Sequence, residues 1–304
     1  MAVVDTETHI FYYARSAIAN PGVSRVGHYR WHEHDADLLI AEMDAAGVDK
    51  TFLISYDAED TRWSAQHHGF DLEDFAGGRG YTLQGYRRHP DRFYWFNTLK
   101  DAEKRPVIDL IDRDLAEGAT GFKLFPAYVQ ADLRTDTWLR VFKHIQARRS
   151  RLLVSFETLD PPRSFSLPEY IAQLRTALEV APHLPVALLH AGCADPLGGE
   201  AQLIAELCAD FPQVYLSLAM PGAVWDDGWE YPFANLLRRV KRLKETIGVS
   251  RMMWATDWPW FGDRFLYPQG IDCFRKHATF FSAEELAQFL GGTAEEFLGA
   301  ERRS

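Results

Sequence analysis

The chain has no long apolar run, few cysteines and no excess of positive charge. No stretch reaches the roughly 18 consecutive apolar residues of a membrane span, so no membrane partner is expected. Only three cysteines occur, Cys193, Cys208 and Cys273, without metal-type spacing. Reduced thiols that fill the core are the expectation. Lys and Arg total 33 against 43 Asp and Glu, a net charge of −10. That balance excludes the basic face that non-specific nucleic-acid binding needs. The opening run from Met1 to Phe11 carries acids where a secretory signal carries Lys or Arg, so a cytoplasmic product is expected. No Pro-, Gly- or Ser-rich linker divides the chain, and one domain over residues 1–304 is expected. A Gly-rich phosphate turn after an early strand is missing too. Gly77-Gly78-Arg79-Gly80 follows polar sequence, which argues against an open doubly wound sheet.

What is present is a rhythm. Apolar residues make up 47 % of the chain and charged residues 25 %, enough to build a large core. Short β-rich apolar runs alternate with amphipathic stretches of helical period, the pattern of parallel βαβ units. Strands are predicted at Ala2–Asp5, Lys50–Tyr56, Phe93–Leu99, Gly121–Phe125, Leu152–Phe156, Pro185–His190, Val214–Leu218 and Met252–Thr256. Helical patterns run over Asp35–Ala46, Val107–Glu117, Trp138–Ala147, Ile171–Val180, Ala201–Asp210 and Asn235–Ile247. A last helix starts at the capping box Ser282-Ala-Glu-Glu285. Eight strands alternating with helices predict a single (β/α)8 TIM barrel in the α/β class. The long segments Ile10–Glu33, Asp57–Gly69 and Leu159–Leu167 then become βα loops over the C-terminal mouth, where such barrels build their sites.

Ionisable residues gather at those strand ends. Strand one leads into Asp5-Thr-Glu7-Thr-His9, and Glu7 and His9, two apart, face the same side of an extended chain. Lys123 lies on strand four, Glu157 follows strand five, His190 ends strand six and Asp257 ends strand eight. Together they can hold a divalent metal or run acid–base chemistry. Each also has a plainer role: Asp5 or Glu7 as a turn cap, His190 as a bonded core histidine, Asp257 as an Asx turn, Lys123 as a snorkelling side chain. Their shared position favours a site. The remaining histidines, such as His89 and His144, read as surface or helix residues. Tyr12, Trp258 and Trp260 are aromatic candidates for the mouth, and Arg62, Arg134 and Arg264 are candidates to meet a substrate carboxylate.

These motifs resemble the amidohydrolase-related branch of the amidohydrolase superfamily, which includes aminocarboxymuconate-semialdehyde and γ-resorcylate decarboxylases and lactonases. The resemblance is carried by Asp5-Thr-Glu7-Thr-His9, Ala41–Asp49, His89-Pro-Asp-Arg-Phe93, His190-Ala-Gly192 and Thr256-Asp257-Trp-Pro259. Gly291-Gly-Thr-Ala294 resembles the closing motif, with Thr293 in place of Asn. The resemblance implies Glu7, His9 and Asp257 as metal ligands, Asp257 also as proton acceptor for a water, and His190 as substrate polariser or proton shuttle. Lys123 takes an oxyanion-stabilising role beside His190, and Arg62, Tyr12 and Trp258 contact the substrate. One motif departs. The family places a His on strand five, where this chain reads Leu152-Leu-Val-Ser-Phe-Glu-Thr158. Ser155 or Phe156 falls at the ligand position, and Glu157 is the only good donor nearby. An oxygen-rich set with Glu157 favours Mn²⁺ over a His-rich zinc site, with Zn²⁺ and a metal-free enzyme as the alternatives. The implied reaction is hydrolysis of a small cyclic or aromatic carboxylate of lactone type. Non-oxidative decarboxylation of an aromatic or dienoic acid is the alternative, and a ligand-binding barrel without turnover the third. The partner is a small molecule, with a homo-oligomer allowed.

Overall fold

The computed structural model describes residues 1–13, 33–56, 75–156, 165–219, 230–260 and 265–299. Eight parallel strands form one sheet: β1 Val4–Thr8, β2 Lys50–Ile54, β3 Phe93–Thr98, β4 Gly121–Leu124, β5 Arg151–Val154, β6 Val186–Leu188, β7 Val214–Ala219 and β8 Met252–Ala255. They pair in chain order. The ring closes between its ends, where His9 N–H donates to the Trp258 carbonyl (2.8 Å) and Asp257 N–H to the Glu7 carbonyl (2.9 Å). A helix follows each strand: α1 Ala36–Ala46, α2 Arg79–Arg88, α3 Val107–Ala116, α4 Asp136–Ala147, α5 Leu167–Val180, α6 Ala201–Asp210, α7 Ala234–Ile247 and α8 Tyr267–His277. The architecture is the expected (β/α)8 barrel.

Local chemistry sets most helix starts. Asp35 accepts from Leu38 N–H, Thr135 caps α4, and Ser166 with Glu169 closes a capping box on α5. The Ser282–Glu285 box opens a short helix, Ala283–Ala287, as its sequence predicts. Two helices go beyond those the periodicity predicts. α2 buries only Thr82, Leu83 and Gly85, a face with one large apolar side chain, so it shows little helical pattern. α8 buries Tyr267, Ile271, Cys273 and Phe274 against β8.

Two apolar layers hold the barrel. The larger lies between strands and helices; the smaller, inside the ring, contains Val4, Phe52, Ile54, Phe96, Leu153 and Met253. Phe297, from the closing helix Thr293–Phe297, plugs the end at which the strands start. All three cysteines are buried and free, as expected. Among the described residues, no helix is long and apolar enough to cross a membrane.

Two strand boundaries differ in ways that matter. Strand one is not Ala2–Asp5 but Val4–Thr8, so Glu7 belongs to the strand itself. Strand six does not run to His190. It stops at Leu188, and Leu189–Cys193 forms a tight turn.

Candidate active site

β1 carries one extra residue opposite β2. Asp5 pairs with Thr51 but Thr8 with Leu53, so three steps on β1 match two on β2. Strict alternation would put Asp5 on the same face as Glu7. The bulge breaks that phase: Asp5 turns to the helix layer and meets the Tyr267 hydroxyl of α8 at 2.9 Å, while Glu7 turns to the mouth. There Glu7 Oε1 accepts from Lys123 Nζ at 2.7 Å and lies 3.8 Å from His190 Nε2 and 4.0 Å from His9 Nε2. His9 Nε2 lies 3.4 Å from Asp257 Oδ1. The structure thus brings together Glu7, His9, Lys123, His190 and Asp257, all buried, at the C-terminal mouth.

Backbone turns aim two of these. His190, Ala191, Gly192 and Cys193 all adopt left-handed φ, between 51° and 74°. Such a run is sparsely populated by non-glycine residues, and it swings His190 off the strand line toward Glu7. Glycine suits the turn at 192, where φ is 74° and a Cβ would sit 2.6 Å from the tip of Ile204, Cδ1, which would have to give way. Asp257 is left-handed too, at φ 57°, a conformation that Asp tolerates better than most residues.

The electrostatics are those of a cation site. His9 Nδ1 lies 3.0 Å from the Ile54 carbonyl, which only accepts, so Nδ1 carries the proton and Nε2 a lone pair. Burial, then the Lys123 ammonium, pushes the His9 pKa down to about 3, and the ring stays neutral. Its lone pair therefore faces the Asp257 carboxylate at 3.4 Å, and the Glu7 carboxylate, held on Oε1 by Lys123, lies beside it. Burial pushes the Glu7 carboxyl up, but the Lys123 ammonium beside it, by its charge and its hydrogen bond, is the first of the groups that hold it below the ordinary carboxylate range. Glu7 Oε2 is buried without a hydrogen-bond partner. One donor atom each from Glu7, His9 and Asp257 lies within 4.8 Å of the others. An orphaned oxygen, an oriented imidazole and a second carboxylate fit a divalent ion.

The other predicted residues divide. Trp258 is buried edge-on to His34, with ring centres 5.2 Å apart. Tyr12 lies on the strand Phe11–Tyr13 of a small antiparallel sheet. Arg62, Arg264 and Glu157 lie outside the described residues. Arg134 is paired with Asp132 at 2.6 Å. Phe156 packs on Tyr170 of α5, so it faces the helix layer and is not at a ligand position. His89 and His144 pair with Asp37 and Asp112 on the outside, as their positions suggest.

Sequence reasoning named Trp260 among the aromatics of the mouth but missed Tyr56 and Phe125. The Tyr56 and Trp260 rings stand 5.7 and 6.4 Å from His9 and 4.9 Å from each other, and Phe125 lies under Lys123 at 4.4 Å. Tyr56 follows β2 by two residues, and the strand-end criterion would have found it had it not been confined to ionisable groups.

Residues 4–300 match the amidohydrolase family. The chain belongs to that family. Solved structures share its fold. One is a probable 2-pyrone-4,6-dicarboxylic acid hydrolase from Acinetobacter baumannii with citric acid bound, 16 % identical, covering 98 % of this chain and 100 % of that one, with a TM-score of 0.68. An amidohydrolase from Burkholderia multivorans with bound zinc is 18 % identical over 98 % and 99 % of the two chains, with a TM-score of 0.68. A 2,6-dihydroxybenzoate decarboxylase complexed with 2,6-dihydroxybenzoate is 13 % identical over 98 % and 99 %, with a TM-score of 0.66. No curated protein matches the sequence.

Proposed function

We propose that this amidohydrolase-family chain hydrolyses a small cyclic or aromatic carboxylate of lactone type, with Asp257 as the base. The observation that carries this reading is the meeting of Asp257 with His9 Nε2 at 3.4 Å in the mouth that holds Lys123 and His190. Asp257 accepts the proton of a water as it attacks the ring carbonyl, then returns a proton to the leaving oxygen. Lys123 and His190 face the oxygen on which charge develops. Tyr56 and Trp260 form an aromatic wall beside His9 that suits a planar ring. Arg62, Tyr12 and Trp258 are assigned to substrate contact. Glu7, His9 and Asp257, with Glu157, would hold a divalent ion, Mn²⁺ or Zn²⁺. Such an ion supplies Lewis acidity and a more acidic water. The partner is a small molecule, in a cytoplasmic enzyme for which a homo-oligomer is allowed; neither nucleic acid nor membrane is a partner.

The Glu7-x-His9 form of β1 favours a second reading, non-oxidative decarboxylation of an aromatic or dienoic acid, in which Asp257 or His190 protonates the ring carbon. One assay addresses both. A panel of lactones and of hydroxy- and dicarboxy-aromatic acids is offered to wild type and to Asp257→Asn, following ring opening and released CO₂. Ring opening by wild type, cut about 10²–10⁴-fold in the variant, is expected. CO₂ release without ring opening moves the assignment to the decarboxylase. A folded variant at near-normal rate removes Asp257 from the proton step.

A further inference from the structure

The mouth that fits a divalent ion already contains a cation. Lys123 is 2 % exposed and Glu7 is fully buried. The ammonium has three N–H groups. Among the described residues its only hydrogen-bond partner is Glu7 Oε1, at 2.7 Å; its other contact is the face of the Phe125 ring at 4.4 Å. Glu7 Oε2, on the far side of the same carboxylate, has no partner. Glu7 thus has one of its two oxygens paired, and Lys123 one described acceptor for three N–H groups. Glu7 and Asp257 are the carboxylates among the described ligands, and the Lys123 ammonium cancels one of their two negative charges. A divalent ion seated beside Glu7 would meet that ammonium in a buried, weakly screened place. Among the described residues, no other carboxylate pairs with Lys123.

We propose that Lys123 is a built-in cation of this mouth, sharing Glu7 with a divalent ion and weakening that ion's binding by its charge. The inference does not depend on which reaction the mouth performs. It differs from an orienting role, in which Lys123 would hold Glu7 in place for the ion and strengthen binding. With the ion bound, the ion and Lys123 together attract an anionic ligand; without it, Lys123 is the cation that remains.

The two roles predict opposite signs. The full chain, stripped by a chelator, is titrated calorimetrically with Mn²⁺ and Zn²⁺ alone. Lys123→Met removes the charge at similar length. Lys123→Gln removes it and keeps a donor for Glu7, which guards against misfolding around an unpaired buried carboxylate. Circular dichroism checks each fold. Both variants should bind at least about tenfold tighter than wild type, and Lys123→Arg, which keeps the charge, should bind as weakly as wild type. Binding in the variants where wild type shows none has the same meaning. Unchanged, weaker or absent binding in the folded Met and Gln variants overturns the proposal.

Discussion

Asp5 shows how one side chain fastens the site without entering it. Its carboxylate accepts from Thr256 N–H (2.9 Å), Glu7 N–H (3.2 Å), the Thr256 hydroxyl (2.5 Å) and the Tyr267 hydroxyl (2.9 Å). It therefore binds the backbone of β1 to that of β8 beside Glu7 and Asp257. Burial pushes its pKa up to about 7, against the pull of its four donors. The ordinary value of 3.8 belongs to the unfolded chain, so between about pH 4 and pH 7 the folded state holds the extra proton. Asp5 thus contributes stability that is fully present below pH 4 and is lost as pH rises through 7. Asp5→Asn mimics the protonated form and should flatten that part of the profile. Urea denaturation of both proteins at pH 5 and pH 8 measures it. Equal loss of stability in the two proteins would show that Asp5 is ionised throughout.

At the scale of an element, the turn after β6 matters most. Left-handed geometry costs about 1–2 kcal/mol at each non-glycine residue, so the surroundings must hold His190, Ala191 and Cys193 there. Beyond the turn, Asp195 is gripped by Arg239 of α7 at 2.8 and 3.1 Å. Gly192→Ala puts a Cβ 2.6 Å from Ile204 Cδ1 at φ 74° and should destabilise the fold by about 1–3 kcal/mol. Turnover should fall as well, because His190 moves with the turn. Adding Ile204→Val removes the clashing methyl and should recover part of the stability but not the left-handed cost. A thermal-melt double-mutant cycle reads the coupling, and additive effects would mean that the turn relaxes away from α6.

Across the whole molecule, the barrel divides stability from chemistry between its two ends. Phe297 packs on Phe52 and Tyr215, with ring centres 6.0 and 5.5 Å away. Arg151, at the start of β5, donates to the carbonyls of Phe297 and Leu298, at 3.2 and 2.6 Å. The closing helix is therefore anchored at the end opposite the mouth. Phe297→Ala should cost about 3–5 kcal/mol and lower the Tm, while turnover per folded molecule stays at the wild-type level. A Tm unchanged by the variant would show that the ring is not part of the core.

Much was legible in the sequence because its causes are local. A strand's period of two and a helix's of 3.6 are written in the order of apolar residues, so the eight strands and six of the eight helices between them could be read directly. The positions of Glu7, Lys123, His190 and Asp257 at strand ends follow from that order. Three features were not legible. The bulge that sends Asp5 outward and Glu7 inward depends on the match between β1 and β2, not on either run alone. The left-handed turn at His190 hides in an apolar run that reads as continuing strand, and α6 packing against Gly192 gives no sign in the local pattern. The Glu7–Lys123 pair joins residues 116 apart. Sequence alone determined that Glu7, His9, Lys123, His190 and Asp257 stand at the mouth. Only closure of the ring decided which of them touch, because partners in a barrel are set by register and by the turn of the chain between strands, and neither is a property of any single segment.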